Sequence, residues 1–206
     1  MSLNMLYVSN FPPEIDKDEL RQTFAEFGQV IIMEYGVNEK FDVPYYLVTM
    51  ENDKAARQAN HALNGHRINN VRLAISYPEI DTDTVARGLS ARQRQTAEMV
   101  VQELDEKYRK PVRRIHTLIL VCGHSFTLNM LEMAKEVEAN GGMMTLDGSR
   151  RRTLGGVFFI LVNRNISPAI YQLIHSRGGK LPDYRIEDDR IFYHLIVNPH
   201  ETDAAR

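Results

Sequence analysis

The 206-residue chain holds a single cysteine, Cys122, so it forms neither an intramolecular disulfide nor a cysteine-rich zinc site, and a reducing compartment suits it. No apolar run approaches the ~20 residues that span a bilayer, and the N-terminus lacks the pattern of a secretory signal. These absences predict a soluble intracellular protein with no membrane contact. His116, His124, His175 and His194 show no metal-ligand spacing with carboxylates. Nor does any acid, base and nucleophile set stand out, so no metal, cofactor or catalytic residue is expected. A strong charge of one sign is missing too, since the formal net charge is −2. That total conceals an asymmetry. Residues 1–78 carry 7 Lys/Arg against 10 Asp/Glu, whereas residues 88–178 carry 13 against 8. Only the second part has an electrostatic reason to bind a polyanion.

What remains is ordinary globular composition, 43% apolar and 25% charged, in a chain long enough for two small domains. β-Rich runs at Met5–Ser9, Gln29–Tyr35, Pro44–Met50 and Val71–Tyr77 enclose two helical stretches. In the first, Asp16 offers a cap with Glu19 three residues on, a capping-box variant; Leu20, Phe24 and Phe27 recur at helical spacing and Gly28 stops the run. The second, Asp53–Leu63, places Ala56, Ala59 and Leu63 on one face and ends at Asn64-Gly65.

This βαββαβ order, with Leu6-Tyr7-Val8-Ser9-Asn10-Phe11 in the first strand, Tyr45-Tyr46-Leu47-Val48-Thr49-Met50 in the third and Leu63-Asn64-Gly65 after the second helix, resembles the ferredoxin-like RNA-recognition motif (RRM) over residues 1–78. The resemblance implies single-stranded RNA binding by stacking bases on aromatic side chains of the two central strands. Strand alternation puts Tyr7 and Ser9 on one face beside Tyr45, Leu47 and Thr49. Tyr7 and Tyr45 are the candidate platforms, on an outward sheet face. The third platform is Leu47, and the family's basic residue and glycine are Val43 and Pro44 here. The alternative is a sheet of ordinary surface aromatics that docks a protein.

Residues 79–89 read as an acidic linker, and from residue 90 to 180 the pattern is helical throughout. Ala97, Val100, Val101 and Leu104 form one stripe; Ile115, Leu118, Ile119 and Cys122 a second; Met130, Met133 or Ala134, and Val137 a third, ending at Asn140-Gly141-Gly142. Further helices begin near Thr153 and at Ser167-Pro168, and short connections predict an all-α bundle. The fold class is therefore α+β. The tail, 181–206, is charged from Asp183 to Asp189 and has strand composition from Ile191 to Val197.

Three arginines, Arg150, Arg151 and Arg152, precede Thr153-Leu154-Gly155-Gly156. Thr153 is a suitable N-cap, and a helix start of this kind attracts anions through its free N–H groups and partial positive charge. The glycines leave room for a phosphate, and guanidinium groups bind phosphate bidentately. The plainer reading is a solvated loop before a closely packed helix.

Residues from about Ser90 to Ile174 resemble the RNA-binding domain of the phosphorylated adaptor for RNA export (PHAX), above all at Glu136-Val137-Glu138-Ala139-Asn140-Gly141-Gly142 and from Asp147 to Phe158. The resemblance implies a helical domain that binds single-stranded RNA without strong sequence preference. Its candidate contacts here are Ser149, Arg150, Arg151, Arg152, Thr153, Gly155 and Gly156. Leu154 replaces the usual proline, losing preorganisation of about 0.4–1 kcal/mol but adding an N–H. Arg113 and Arg114, with Lys107, Arg109 and Lys110, form a second basic cluster that either extends the RNA track or solubilises a helix end. By the same resemblance the partners would be small nuclear RNA or other single-stranded RNA, the nuclear cap-binding complex and an export receptor. The expectation is a non-enzymatic RNA-binding adaptor of nuclear RNA export or processing, in the nucleus and shuttling to the cytoplasm. The alternative is a protein-interaction scaffold whose RRM docks a partner while only the helical domain binds RNA.

Overall fold

Alternation decides the first unit. Leu6 and Val8 of β1 (Met5–Ser9) are fully buried together with Val48 and Met50 of β3 (Val43–Met50) and with Leu20, Phe24, Ala56 and Ala59 from two helices. These helices, α1 (Lys17–Ala25) and α2 (Asp53–Leu63), lie on one side of an antiparallel sheet of order β2-β3-β1-β6, where β2 is Val30–Asn38 and β6 is Ala74–Ser76. The computed structural model describes residues 3–79 and 88–175, and the backbone alone of 184–187 and 190–193. Asp16 stands at the N-cap of α1, but its side chain makes no cap hydrogen bond, so the expected capping-box variant does not form. Asn52 caps α2, accepting from the Ala55 N–H at 2.9 Å.

The fourth strand is shorter than the expected Val71–Tyr77 run. Val71–Arg72 (β5) turns away to pair with Arg67–Ile68 (β4), and only Ala74–Ser76 joins β1. Asn69 and Asn70 both take positive φ between the two short strands, a conformation asparagine tolerates.

Four helical elements follow: α3 (Ala91–Glu103), α4 (Arg109–Ala139), α5 (Leu154–Asn165) and α6 (Pro168–His175). Ser90 and Gln93 form a reciprocal capping box on α3. The expected second and third helices both form, and α4 is the two of them end to end, separated at Gly123, whose φ of 82° and ψ of 169° no helix interior holds. By length and composition α4 could span a bilayer, but its apolar side chains, Ile115, Leu118, Ile119, Phe126, Met130, Met133 and Ala134 among them, form the core of the bundle. Both Met133 and Ala134 point inward. Cys122 is buried, and burial pushes its thiol well above the ordinary range. The linker expected at 79–89 lies outside the described residues from 80 to 87, while Leu89 is already buried in the helical core. In the tail, β7 (Tyr184–Glu187) pairs with β8 (Arg190–Tyr193), so the charged stretch supplies a strand of its own.

The helical bundle packs on the sheet face opposite α1 and α2. Ala74 of β6 belongs to the same apolar cluster as Ala97, Phe126, Phe158 and Ile170. Buried asparagines satisfy polar groups along the seam: Asn129 of α4 donates to the Leu73 carbonyl at 2.8 Å and to Asn64 Oδ1 at 3.0 Å. Asn165 of α5 accepts from the Ser9 hydroxyl at 3.0 Å, and Ser167 donates to the Pro78 carbonyl at 2.6 Å. Gly65, at φ +86°, lets the Asn129 side chain approach. At the rim, Arg67 of β4 and Arg72 of β5 meet Glu136 of α4 at 2.5 and 2.7 Å.

Burial works against ionisation of Glu136, but the Arg72 and Arg67 guanidiniums hold its carboxyl below the usual carboxylate range. The stability this supplies is present above the ordinary carboxylate pKa and is lost as pH falls through the lowered one. The pair is half exposed, so its worth is at most about 1 kcal/mol. Urea midpoints measured from pH 7 to pH 3 should therefore fall slightly less steeply for Glu136→Gln than for the parent chain. Parallel curves would show that the clamp carries no pH dependence.

Candidate nucleic-acid interface

The arginine loop is a short hairpin rather than a plain loop. Asp147 and Gly148 turn the chain, with Gly148 at φ +67° donating to the Thr145 carbonyl at 2.9 Å. Thr145 N–H then bonds to Arg150 O at 2.9 Å and Arg152 N–H to Met143 O at 2.8 Å, flanking the Met144–Arg151 bridge. Asp147 accepts from the Thr145 hydroxyl at 2.5 Å and from the Ser149 hydroxyl at 2.8 Å. These bonds, the Thr145 one first, hold its carboxyl down at about 2. Ser149 is thus engaged in shaping the turn.

Thr153 caps α5 as expected, its hydroxyl accepting from the Gly156 N–H at 3.1 Å. The three arginines, however, do not act alike. Arg151 is held down: it ion-pairs with Glu138 at 2.7 Å, donates to the Glu138 carbonyl at 3.0 Å, and lies across Gly142, where a Cβ would collide with its guanidinium. Arg152 donates from Nε to Met144 O at 3.1 Å, leaving its terminal nitrogens. Arg150 is exposed, and its guanidinium makes no hydrogen bond or ion pair among the described residues.

At the helix start Gly155 is buried, and a side chain there would strike the Glu106 carboxylate. Burial, and then the neighbouring Asp105 charge, raise the Glu106 pKa. A carboxylate of this chain thus already lies against the first turn of α5, whose partial positive charge favours it. An incoming phosphate would compete with it. Periodicity and motif gave no sign of Glu106, which lies 49 positions before Gly155.

The sheet face departs further from expectation. Tyr7 and Ser9 do lie opposite α1 and α2, but that face is not outward along β1 and β6. Tyr7 is 1% exposed and Ser9 and Ser76 are fully buried, because the helical bundle covers them. Tyr7 stacks on Tyr45 with ring centroids 4.6 Å apart, and the Tyr45 ring lies over Gly36, where a Cβ would fall 2.5 Å from Cζ. Burial pushes the Tyr7 phenol up to about 12, with Asn38 opposing, although the hydroxyl makes no hydrogen bond of acceptable geometry among the described residues. Tyr45, Leu47 and Thr49 stay half exposed. RNA can reach Tyr45 but not the Tyr7 ring while the bundle is seated.

Arg113 and Arg114 are partly buried on α4. Arg114 lies 6.0 Å from the Phe159 ring centroid, and the Arg113 Nε is buried without a partner among the described residues. No hydrogen bond or ion pair joins either to the arginine hairpin among the described residues.

Residues 96–180 match the family model described as the RNA-binding domain of the phosphorylated adapter RNA export protein, and residues 6–74 match the RNA recognition motif. Over 71 residues the chain is 35% identical to the phosphorylated adapter RNA export proteins of Bos taurus and Homo sapiens, a segment covering 34% of this chain and 18% of each relative. Among solved structures, one titled "Pes4 RRM3 Structure" aligns at a TM-score of 0.34 and 18% identity, covering 38% of this chain and 94% of that one. The chain is therefore similar to two RNA-binding families in tandem, to the RNA recognition motif over residues 6–74 and to the PHAX RNA-binding domain over residues 96–180.

Proposed function

We propose that this chain is a non-enzymatic RNA-binding adaptor that grips single-stranded RNA, small nuclear RNA among the candidates, at the start of α5. It would act in nuclear RNA export or processing and shuttle between nucleus and cytoplasm. The observation that carries the reading is Arg150 and Arg152 presented beside a Thr153-capped, glycine-bearing helix start. The partial positive charge of the helix start and two guanidiniums suit a phosphate, which would displace the Glu106 carboxylate from the first turn. Gly156, Arg151 and Ser149 shape that surface. The one thiol is buried and held protonated, so it offers no nucleophile. The names of the similar proteins support export as the setting; the cap-binding complex and an export receptor remain the partners the resemblance suggests.

A second reading has its own observation. Edge strand β2 exposes Ile31, Ile32, Tyr35 and Val37, each more than 40% accessible, while Tyr7 is sealed. This favours a scaffold in which the RRM docks a protein along β2 and the helical domain alone binds RNA.

The test is competition. A base can stack on an accessible ring such as Tyr45 only when it is unpaired, whereas a duplex hides its base faces. Single-stranded RNA should displace a labelled single strand well and a blunt duplex of equal charge poorly. Equal displacement by both would leave only a generic basic surface.

A further inference from the structure

The two modules meet again beside the sheet, where neither matched family model alone supplies the whole site. The β2–β3 connection brings Lys40 and Phe41 of the RRM against α6. Phe41 contacts Tyr171 edge-on with centroids 5.3 Å apart, and Lys40 Nζ sits 4.1 Å above the Tyr171 ring. The Tyr171 ring also stacks on His175, at 4.4 Å and 19°. Phe41, Tyr171 and Pro168 line a cavity of about 400 Å³, with Lys40 and Glu39 at its edge.

Cations outnumber the Glu39 carboxylate around this aromatic set. Burial, then the charges of Arg114, Lys40 and Lys110, depress His175 to about 4, so the imidazole beside Tyr171 is neutral near pH 7. Its Nε2 lies 2.8 Å from Asn163 Oδ1, which assigns that nitrogen as the donor. Among the described residues no carboxylate forms an ion pair with Lys40, Lys110 or Arg114. Cations that form no ion pair among the described residues, beside a stacked aromatic pair, suit a ligand that is itself aromatic and anionic.

We propose that this junction is a nucleotide subsite: one base of a single-stranded RNA displaces the Lys40 ammonium from the Tyr171 face and stacks there beside Phe41, while Lys40, Lys110 and Arg114 take the flanking phosphates. An exposed ammonium over a ring is a weaker contact than a stacked base, and a lysine side chain moves readily. Lys40 therefore holds the ring face until RNA arrives. The site exists only because the bundle is seated on the sheet, so RNA bound here also clamps the two modules together. This inference rests on the RNA-binding reading above and adds a second contact point to it.

The experiment measures anisotropy of a short fluorescent oligoribonucleotide carrying 5-bromouridine, with the full chain and with Lys40→Ala, Phe41→Ala and Arg150→Ala/Arg152→Ala. Lys40 is exposed and Phe41 half exposed in a connection, so both variants should fold, which their melting curves check. Affinity is expected to drop about fivefold or more for Lys40→Ala and about tenfold or more for Phe41→Ala, in line with removing the partner of one phosphate and of one stacked base. Photocrosslinks should map to Phe41, Tyr171 or His175. Parent-like affinity in both junction variants overturns the subsite, wherever the crosslinks fall; if the Arg150/Arg152 variant then still loses affinity, the α5 site stands alone. A parent chain that binds no RNA overturns both.

Discussion

Tyr7→Ala is expected to destabilise the whole chain by about 3–5 kcal/mol, the cost of truncating a fully buried aromatic side chain. Tyr7 is 1% exposed, stacked on Tyr45, and enclosed between the sheet and the helical bundle. Its loss opens a cavity at the seam, so urea unfolding should move for both modules together. Two companion variants make the expectation specific. Tyr7→Phe keeps the ring and removes a hydroxyl that has no hydrogen bond among the described residues; it should be neutral or stabilising. Tyr45→Ala, at a half-exposed ring, should cost less than Tyr7→Ala in stability. It can still cost about 1–3 kcal/mol of RNA affinity if a base stacks there. A pH titration adds an independent readout. The Tyr7 phenol, pushed up to about 12, stays protonated while exposed tyrosines ionise. Stability tied to it is therefore complete below the ordinary tyrosine pKa and is lost as pH rises towards 12. If Tyr7→Ala left stability intact and reduced only RNA binding, the bundle would not be seated on the sheet in solution.

Removing Arg150 and Arg152 together is expected to weaken RNA binding by more than about tenfold, since a hydrogen bond to a charged group contributes about 1.5–3 kcal/mol. The loss should be similar for unrelated sequences, because phosphate contacts carry no base identity. The slope of log affinity against log salt should flatten by about 0.7 for each phosphate of a single strand that is no longer neutralised. Arg151→Ala should flatten it least, because Arg151 already spends its guanidinium on Glu138 at 2.7 Å. Lysine at 150 and 152 preserves charge and loses the bidentate fork, so it should restore the salt slope more completely than the affinity. Equal slopes for the parent and the Arg150/Arg152 variant, with circular dichroism unchanged, would remove the hairpin from the binding surface.

The difference among the three arginines shows where one-dimensional reading stops. Their clustering before a capped, glycine-bearing helix was legible because N-capping is local: Thr153 reaches Gly156 three residues on. Their division of labour was not, since it depends on Glu138, thirteen positions back, and on a turn that brings the two strands of the hairpin together. Glu106 against Gly155 and Lys40 over Tyr171 were still further from sight, the second pair being 131 positions apart. No motif or period spans such separations.

Sequence alone was enough for the order of the main strands and helices, the two inward faces and the family resemblance of both modules. Period-two and period-3.6 alternation, turn residues and caps act within a few residues, and they appear in the structure at Leu6 and Val8, at Ala97 and Val100, and at Thr153. What only the tertiary structure decided is which sheet face stays open. Alternation says that Tyr7 and Ser9 share a side; it cannot say that a second module lies on it, because the apolar and polar groups that seal the seam, Ala74, Asn129, Asn165 and Ser167, come from segments far apart in the chain. Burial is a property of the surfaces that meet. A tyrosine that reads as an RNA platform in the isolated motif becomes a core residue once the helical bundle covers it, and the proposed binding surface is confined to what remains exposed: the α5 hairpin, Tyr45 and the junction with α6.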